Sequence, residues 1–138
     1  MLKWTGALLF LAASAAGAQE NIFSTNTSNN SASVTDGQTF VPLPATGSLG
    51  PNTFNTGANS APRTMIYDPI RTQVYVVNTA GQTVVAIDPI LMTTKSVLAP
   101  GLAGPLSMAA MSADGRYLYA AGGSTIAGRI GIFQYDLN

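Results

Sequence analysis

The chain has 138 residues without cysteine or histidine, and six Lys and Arg residues balance six Asp and Glu residues. The lack of thiols and imidazoles excludes disulfides, Ser-His-Asp catalysis and the usual transition-metal sites, and the neutral charge leaves no field to attract nucleic acid. The length allows one domain at most after processing, and we assign it no catalytic residue, no metal ligand and no cofactor.

The first 18 residues have the pattern of a cleaved signal peptide. Lys3 precedes the apolar run of residues 6–13 (GALLFLAA), and residues 16–18 (AGA) give the small-x-small cleavage motif. The apolar run is shorter than the roughly 20 residues that cross a bilayer, and no later stretch is long and apolar enough. We therefore predict export to the periplasm, the cell surface or the medium, with no membrane span after cleavage.

Ser, Thr, Asn and Gly dominate residues 19–60. Such a composition offers little apolar surface to offset the entropy lost on ordering, so we predict a largely disordered linker. The exception is residues 38–44 (QTFVPLP), whose brief alternation is compatible with an edge strand ended by prolines. Asn26 and Asn29 match the glycosylation acceptor pattern, but we assign them no role.

From residue 61 the chain is a succession of short predicted strands. Runs rich in Val, Ile, Tyr and Met alternate with turn residues such as Asp68-Pro69 and Asp88-Pro89. The predicted strands are residues 64–67, 73–77, 83–87 and 94–98 in a first unit, and residues 107–111, 117–121 and 129–135 in a second. The first unit covers residues 61–104 and the second, one strand shorter, covers residues 105–138.

The two units form an internal repeat. Aligning QVYVVN with YLYAAG places Tyr75 on Tyr119, 44 residues apart, and the later landmarks Asp88 and Asp136 are 48 residues apart. The four extra residues fit a longer hairpin around residues 122–125. Periods of this length are typical of β-propeller blades, and both tyrosines are predicted to pack between neighbouring sheets.

Two runs resemble repeats of known propellers. Residues 105–119 (PLSMAAMSADGRYLY) look like the SPDGRYLYV stretch of propeller blades, and residues 74–88 (VYVVN followed by TVVAID) are similar to the YVTN repeat, with Val77 in place of its Thr. The resemblance covers residues 61–138 and implies an all-β fold of antiparallel four-stranded β-propeller blades. It also implies a surface, secreted or periplasmic protein, and lactonase-type and quinone-enzyme propellers look alike at this level.

Fewer than two blades are predicted here, whereas a propeller ring takes typically 4–8. A repeat buries its core only against neighbours, so about three are needed for stability. We therefore expect the N-terminal part of a longer protein, with assembly of several copies or an isolated small sandwich as alternatives.

The candidate functional side chains are acids and arginines near strand ends. Turn capping explains the acids better than calcium, because calcium loops gather several acids within about a dozen residues. The arginines are expected in solvent rather than around an anionic ligand, and the glycines of residues 101–104 and 122–123 are interpreted as turns, since the Lys-Ser/Thr ending of a phosphate loop is missing. The acids are Asp68, Asp88, Asp114 and Asp136, and the arginines are Arg63, Arg71, Arg116 and Arg129.

These patterns favour an extracytoplasmic propeller module that binds a protein or small ligand and packs against further blades of the same longer chain. One alternative is the N-terminal part of a propeller enzyme, a lactonase-like hydrolase or quinone-dependent dehydrogenase, whose catalytic residues lie downstream. Another is a purely structural cell-surface repeat. For this chain itself we do not predict catalysis, and its cofactor-binding residues, ligand and oligomeric state stay open.

Overall fold

The computed structural model describes residues 8–10, 21–27, 30–36, 46–47, 50–51, 53–57, 60–89, 93–98, 104–123 and 129–138. In this part the chain is all-β, and its sheets are antiparallel. Among the same residues, no helix is long and apolar enough to cross a membrane.

Three sheets make up most of the described structure. Sheet I has the order β1-β2-β3-β6, from β1 (Leu8–Phe10), β2 (Asn21–Asn26), β3 (Ser31–Asp36) and β6 (Thr53–Asn55), and the short β4 (Thr46–Gly47) and β5 (Gly50–Pro51) pair with each other. Sheet II contains β7 (Pro62–Asp68), β8 (Gln73–Asn78), β9 (Thr83–Asp88) and β10 (Thr93–Leu98) in chain order. Sheet III contains β11 (Leu106–Met111), β12 (Tyr117–Gly123) and β13 (Ile130–Asp136).

The seven strands predicted after residue 61 are confirmed, each to within two residues at either end. β8 and β9 carry Val and Ile at most positions, which suits a pleated sheet, and they are buried nearly throughout because both faces of sheet II are covered. Thr72 and Gln82, each just before a strand, adopt positive φ angles of 50° and 53° that close the tight turns.

Sheet II lies between the other two sheets. Phe23 and Ala32 of sheet I pack against Val74 and Val76 of sheet II in one apolar core. On the opposite face of sheet II, a second core joins its own side chains to those of sheet III. The second core contains Tyr75, Val77, Val84, Ala86, Leu106, Leu118 and Ala120. Alternation along β8 explains both cores, since successive side chains point to opposite faces, and each fully buried Val or Leu contributes roughly 1.5–3 kcal/mol.

The structure corrects the expectation of a largely disordered linker over residues 19–60. β2 and β3 form a six-residue antiparallel ladder there, and Phe23 and Ala32 have no solvent exposure. The average composition hid this strand pattern, because Phe23 and Ala32 share one face of the ladder while most of the residues around them are Ser, Thr and Asn. The edge strand suggested at residues 38–44 lies outside the described residues.

Sheet I also changes the number of blades. With it, three stacked sheets of four, four and three strands are present in the described part of the chain, rather than fewer than two blades. Its first strand, β1, lies within the predicted signal peptide and pairs with β2, with Leu9 opposite Phe23. Cleavage after Ala18 stays a prediction.

Candidate functional site

Asp68 caps the turn between β7 and β8. Its side chain is fully buried, and Oδ1 accepts hydrogen bonds from the backbone N–H groups of Ile70 (2.9 Å) and Arg71 (3.1 Å). Oδ2 lies 3.0 Å from Arg71 Nη1 in an ion pair. The capping role predicted for this aspartate is therefore present, and its second oxygen orients a guanidinium.

Arg71 connects sheet II to sheet III. Its Nη1 donates to the Gly115 carbonyl at 2.7 Å, Nε to the Leu137 carbonyl at 3.2 Å, and Nη2 to Asn138 Oδ1 at 3.1 Å. The expectation of a solvated arginine is wrong here, because three acceptors that lie far away in the sequence converge on one guanidinium fork. The repeat spacing was the sequence feature that could have predicted this contact, since Gly115 is 44 residues after Arg71 and occupies the equivalent turn of the next sheet.

In sheet III the corresponding turn is capped by Ser112 and Asp114. Ser112 Oγ donates to Asp114 Oδ1 at 2.6 Å and accepts from the Tyr117 N–H at 2.8 Å, and Asp114 Oδ1 accepts from the Arg116 N–H at 3.0 Å. The Ser112 hydroxyl and the Arg116 N–H lower the pKa of Asp114, since both stabilise the carboxylate. Ser112 lies 44 residues after Asp68, so the repeat keeps a turn cap here with different chemistry.

Arg116 and Asp136 form an exposed pair at the end of sheet III. Arg116 Nη2 lies 2.8 Å from Asp136 Oδ2, and its guanidinium carbon lies 4.9 Å from the centroid of the Tyr117 ring. The hydrogen bonds from Arg116, and one from the Asn138 N–H, lower the pKa of Asp136, while the carboxylate raises the pKa of Arg116. Both side chains are nearly half exposed, so the pair contributes little to stability.

The remaining predicted residues do not form a shared site. Asp88, at the end of β9, pairs with Lys95 Nζ at 3.2 Å, and Arg63 and Arg129 are exposed. Within the described ranges, no three His, Cys, Asp or Glu side chains come together in an arrangement that could hold a metal ion. Asp68, Asp88, Asp114 and Asp136 instead cap turns or form ion pairs.

Sequence reasoning missed a polar cluster between sheets I and II. Asn78, at the end of β8, has no solvent exposure, and its Nδ2 donates to the Thr56 carbonyl (2.7 Å) and to Thr83 Oγ1 (3.0 Å). Its Oδ1 is buried without a hydrogen-bond partner among the described residues. Thr56 Oγ1 lies 2.7 Å from Ser60 Oγ and donates to the Asn30 carbonyl at 2.8 Å. This cluster fastens the chain that enters sheet II to the turn of sheet I.

A cleft of about 410 Å³ opens beside that cluster. Its walls are hydroxyl, glycine and valine groups of Thr56, Gly57, Ser60, Gly81, Thr83, Val85, Thr94 and Val97. Asn78, which ends the YVTN-like run, was the sequence feature that could have predicted the polar cluster, because a buried amide at a strand end needs hydrogen-bond partners from a neighbouring segment.

No protein-family model matches the sequence, and no curated protein matches it as a relative. Solved structures do match the fold. The hydrazine synthase of Kuenenia stuttgartiensis has a TM-score of 0.70 at 18% identity, over 85% of this chain and 31% of the other. Dihydro-heme d1 dehydrogenase NirN has a TM-score of 0.70 at 16% identity, over 96% of this chain and 25% of the other.

A candidate 6-phosphogluconolactonase from Bacteroides uniformis has a TM-score of 0.66 at 21% identity, over 86% of this chain and 34% of the other. These structural neighbours are β-propeller proteins, so the three stacked sheets have the fold of consecutive propeller blades. The chain spans about a quarter to a third of the length of these proteins.

Proposed function

We propose that this chain is an extracytoplasmic β-propeller repeat module whose turns bind a protein or small ligand, and that it forms the N-terminal part of a longer protein. One observation carries the proposal: sheet II is covered on both faces by neighbouring sheets, as a blade within a ring is. Stacking buries the faces of the blades, so their turns are the elements that can contact a ligand.

The chemistry of the described turns supports binding rather than catalysis by this chain. Asp68 and Arg71 satisfy backbone groups and each other, and Asp114 is held by Ser112 and the Arg116 N–H. Charged groups engaged in this way stabilise the scaffold. The exposed positions between them, such as Ile70 and Ala80, are available for contact.

Binding by the turns can be tested by site-specific photocrosslinking in the exporting host. A photoreactive amino acid is placed at Ile70 in the β7–β8 turn and, separately, at Ala80 in the β8–β9 turn, with exposed Ser96 of β10 as the control. We expect a discrete crosslinked species from at least one turn position and none from Ser96. Equal results at all three positions would instead favour a purely structural cell-surface repeat, which should also extract with the envelope.

Export is supported by the leader pattern of residues 1–18. The apolar run Leu8–Phe10 suits both the core of a leader and β1, so the two roles need a direct test. Fractionation and N-terminal sequencing of the tagged chain should find a product beginning at Gln19 outside the cytoplasm. Leu9→Arg should block export, whereas Thr5→Arg, which adds charge before the apolar run, should not. Recovery of a cytoplasmic product beginning at Met1 contradicts export.

The alternative is the N-terminal part of a propeller enzyme. It is favoured by neighbours described as a candidate 6-phosphogluconolactonase and a dehydrogenase, although they share only the fold. Assays of the longer protein with a panel of lactones and with quinone-linked dye reduction separate the two functions. Saturable turnover would favour the enzyme, and its absence alongside turn-specific crosslinks would favour the binding module.

A further inference from the structure

The cleft of about 410 Å³ beside the polar cluster has hydroxyl and aliphatic walls, and none of its described lining residues is charged. Its volume falls within the range of about 300–1,000 Å³ that is usual for small-molecule sites. The hydroxyls belong to Thr56, Ser60, Thr83 and Thr94, and the aliphatic side chains are Val85 and Val97. What such a cleft can bind depends on whether its polar atoms have protons to donate or only lone pairs to offer.

The hydrogen bonds of Thr56 and Ser60 fix the direction of their hydroxyl protons. The Asn30 carbonyl can only accept, so Thr56 Oγ1 donates its single proton in the 2.8 Å bond to that carbonyl. Thr56 Oγ1 and Ser60 Oγ lie 2.7 Å apart, and Ser60 is the donor of this bond because Thr56 has no second proton. The Ser60 oxygen can therefore only accept a hydrogen bond from a molecule in the cleft.

Asn78 contacts two residues of the cleft wall and also has no proton left to donate. Its Nδ2 donates one proton to the Thr56 carbonyl and the other to Thr83 Oγ1. The amide cannot be turned over, because that would place Oδ1 against the Thr56 carbonyl. Burial of Oδ1 without a partner among the described residues costs free energy that a hydrogen-bond donor would recover. The polar cluster therefore favours a ligand that donates.

The repeat has a second junction, between sheets II and III, with which this one can be compared. Ser60 and Asn78 correspond to Gly104 and Gly122, since the members of each pair are 44 residues apart. Main-chain hydrogen bonds at the same spacing support this alignment. They run from the Thr79 N–H to the Ala61 carbonyl at 3.1 Å and from the Gly123 N–H to the Pro105 carbonyl at 3.2 Å.

At the second junction, main chain packs directly against main chain. A Cβ added at Gly104 would lie 2.8 Å from the Cα of Gly123, and one added at Gly122 would lie 2.8 Å from the Pro105 carbonyl oxygen, so neither position has room for a side chain. Two sheets of this repeat therefore stack without a serine or an asparagine at these positions. The polar side chains of the first junction are an addition that stacking does not require.

We propose that the cleft binds a neutral polyhydroxylated molecule of monosaccharide size, whose hydroxyl groups donate to the acceptor oxygens of the polar cluster, Ser60 Oγ among them. The inference rests on the proposed function and names the position and the chemical class of a small ligand. Thr56 and Ser60 are only 3% and 1% exposed, so they form the floor of the cleft. Gly57 and Gly81 are exposed and lie at its mouth.

Charge and shape both favour this class of ligand. A phosphate or carboxylate would meet oxygen lone pairs with no cation among the described lining residues, and an amine would find no carboxylate there. A sugar ring carries hydroxyl donors at its rim and C–H groups on its faces. The donors suit Ser60, and the C–H groups suit the side chains of Val85 and Val97.

The test is a titration of the purified, isotope-labelled chain followed by NMR. The probes are free pentoses, hexoses and alditols, together with the uronic acids and sugar phosphates that correspond to them. We expect at least one neutral compound to give saturable shifts of the Gly57 and Gly81 amide signals and no shift of Gly115, which lies in a remote turn. Absence of saturable shifts with every neutral compound, or tighter binding of the charged counterpart, would overturn the proposal.

Disaccharides of the same sugar identify the source of the ligand. Binding of a disaccharide as well as the monosaccharide would indicate the end of a glycan chain, and binding of the monosaccharide alone would indicate a free ligand. Both results support the chemical class.

Deoxyfluoro analogues of the bound sugar test the direction of the hydrogen bonds. Fluorine replaces one hydroxyl at similar size and cannot donate. At one or more positions the dissociation constant should rise at least about tenfold, as expected for the loss of a hydrogen bond to a buried acceptor. Unchanged affinity at every position would overturn the proposal, because no ligand hydroxyl would then donate to the cleft.

Two variants place the ligand in the cleft. Ser60→Ala removes an acceptor and should weaken binding at least about tenfold, whereas Ser107→Ala, the same change at an exposed position of sheet III, should alter it less than about twofold. Val97→Trp places a large side chain at the edge of the cleft and should also weaken binding at least about tenfold. Val97 is 58% exposed, so this variant keeps the fold even if Ser60→Ala does not. Unchanged binding in Val97→Trp would overturn the proposal.

The titration depends neither on export nor on a protein partner, so its outcome is separate from that of the photocrosslinking experiment. A discrete crosslink from Ile70 or Ala80 without sugar binding would retain the proposed function and overturn the inference about the cleft. Sugar binding without any crosslink would retain the cleft site and remove the protein partner from the proposed function.

Discussion

Arg71 Nη1 donates a 2.7 Å hydrogen bond to the Gly115 carbonyl, and these two residues are separated by 44 positions, the spacing of the repeat. The turn of one sheet therefore holds the equivalent turn of the next. Buried Asp68 fixes the guanidinium that makes this contact. Apolar packing brings sheets II and III together without direction, whereas this geometry sets how one is aligned on the other.

Arg71→Met should lower the free energy of unfolding by about 2–4 kcal/mol, because it keeps the apolar stem but leaves the Asp68 carboxylate buried without its cation. The measurement is urea unfolding, with exposed Arg63→Met as the control, which should change stability by less than about 0.5 kcal/mol. Asp68→Asn should lower the free energy of unfolding less in the Arg71→Met variant than in the natural chain. Equal losses from the two arginine variants would show that the contact does not stabilise the fold.

Gly115→Ala should lower the free energy of unfolding by about 1–3 kcal/mol. Gly115 has a φ of 68°, a conformation that alanine adopts with strain, and an added Cβ would overlap the end of the Ile70 side chain. Combining the change with Ile70→Ala should recover the steric part but not the backbone part. A thermal melt of the single and double variants separates the two terms, and no recovery in the double variant would rule out the overlap with Ile70.

The strands after residue 61 were predictable because each is a short run of β-formers bounded by turn residues, and because burial on both faces makes β8 and β9 nearly continuous in apolar character. Repeat spacing also placed Tyr75 in a core between sheets, where the structure has it. Local sequence holds the information on strands and turns, and the comparison of segments 44 residues apart adds the repeat.

Sheet I and the Arg71 contact were not predictable in the same way. Phe23 and Ala32 lie in a tract dominated by Ser, Thr and Asn, and they become core only when Val74 and Val76 cover them. Arg71 binds main-chain carbonyls, for which the sequence gives no sign beyond the 44-residue spacing that relates Arg71 to Gly115. Both depend on which distant segments become neighbours, and composition averaged over a segment does not contain that information.

Tyr135→Phe should raise the free energy of unfolding by about 1 kcal/mol. The Tyr135 hydroxyl is buried with no hydrogen-bond partner in the described part of the chain, and burial raises the pKa of this phenol. Removing an unsatisfied buried hydroxyl removes its desolvation cost. Denaturant unfolding measures the gain, and Tyr119→Phe on the exposed face of sheet III should leave stability nearly unchanged. A loss of stability in Tyr135→Phe would mean that the hydroxyl has a partner.

Stability should fall in acid partly through Asp136. Hydrogen bonds from Arg116 lower the pKa of Asp136 below its ordinary value of 3.8, so the folded state releases this proton more readily than the unfolded state. The contribution is present above pH 3.8 and is lost as the pH falls through the lowered folded pKa. Asp136→Asn should flatten this part of a stability profile measured from pH 5 to pH 2. Arg116→Gln should flatten it as well, and an unchanged profile in both variants would exclude the pair as a source.

Phe23→Ala tests whether the polar tract folds as a blade. Phe23 has no solvent exposure and packs against sheet II, so its truncation should cost about 3–5 kcal/mol by urea unfolding, whereas a disordered linker would tolerate it. Ser24→Ala, on the opposite face of β2, is the matched control and should change stability by less than about 0.5 kcal/mol. The same loss should appear in a chain that starts at Gln19, because that chain keeps Met65, Val74 and Val76, which share the core of Phe23. A loss confined to the chain that starts at Met1 would instead show that β1 holds sheet I in place.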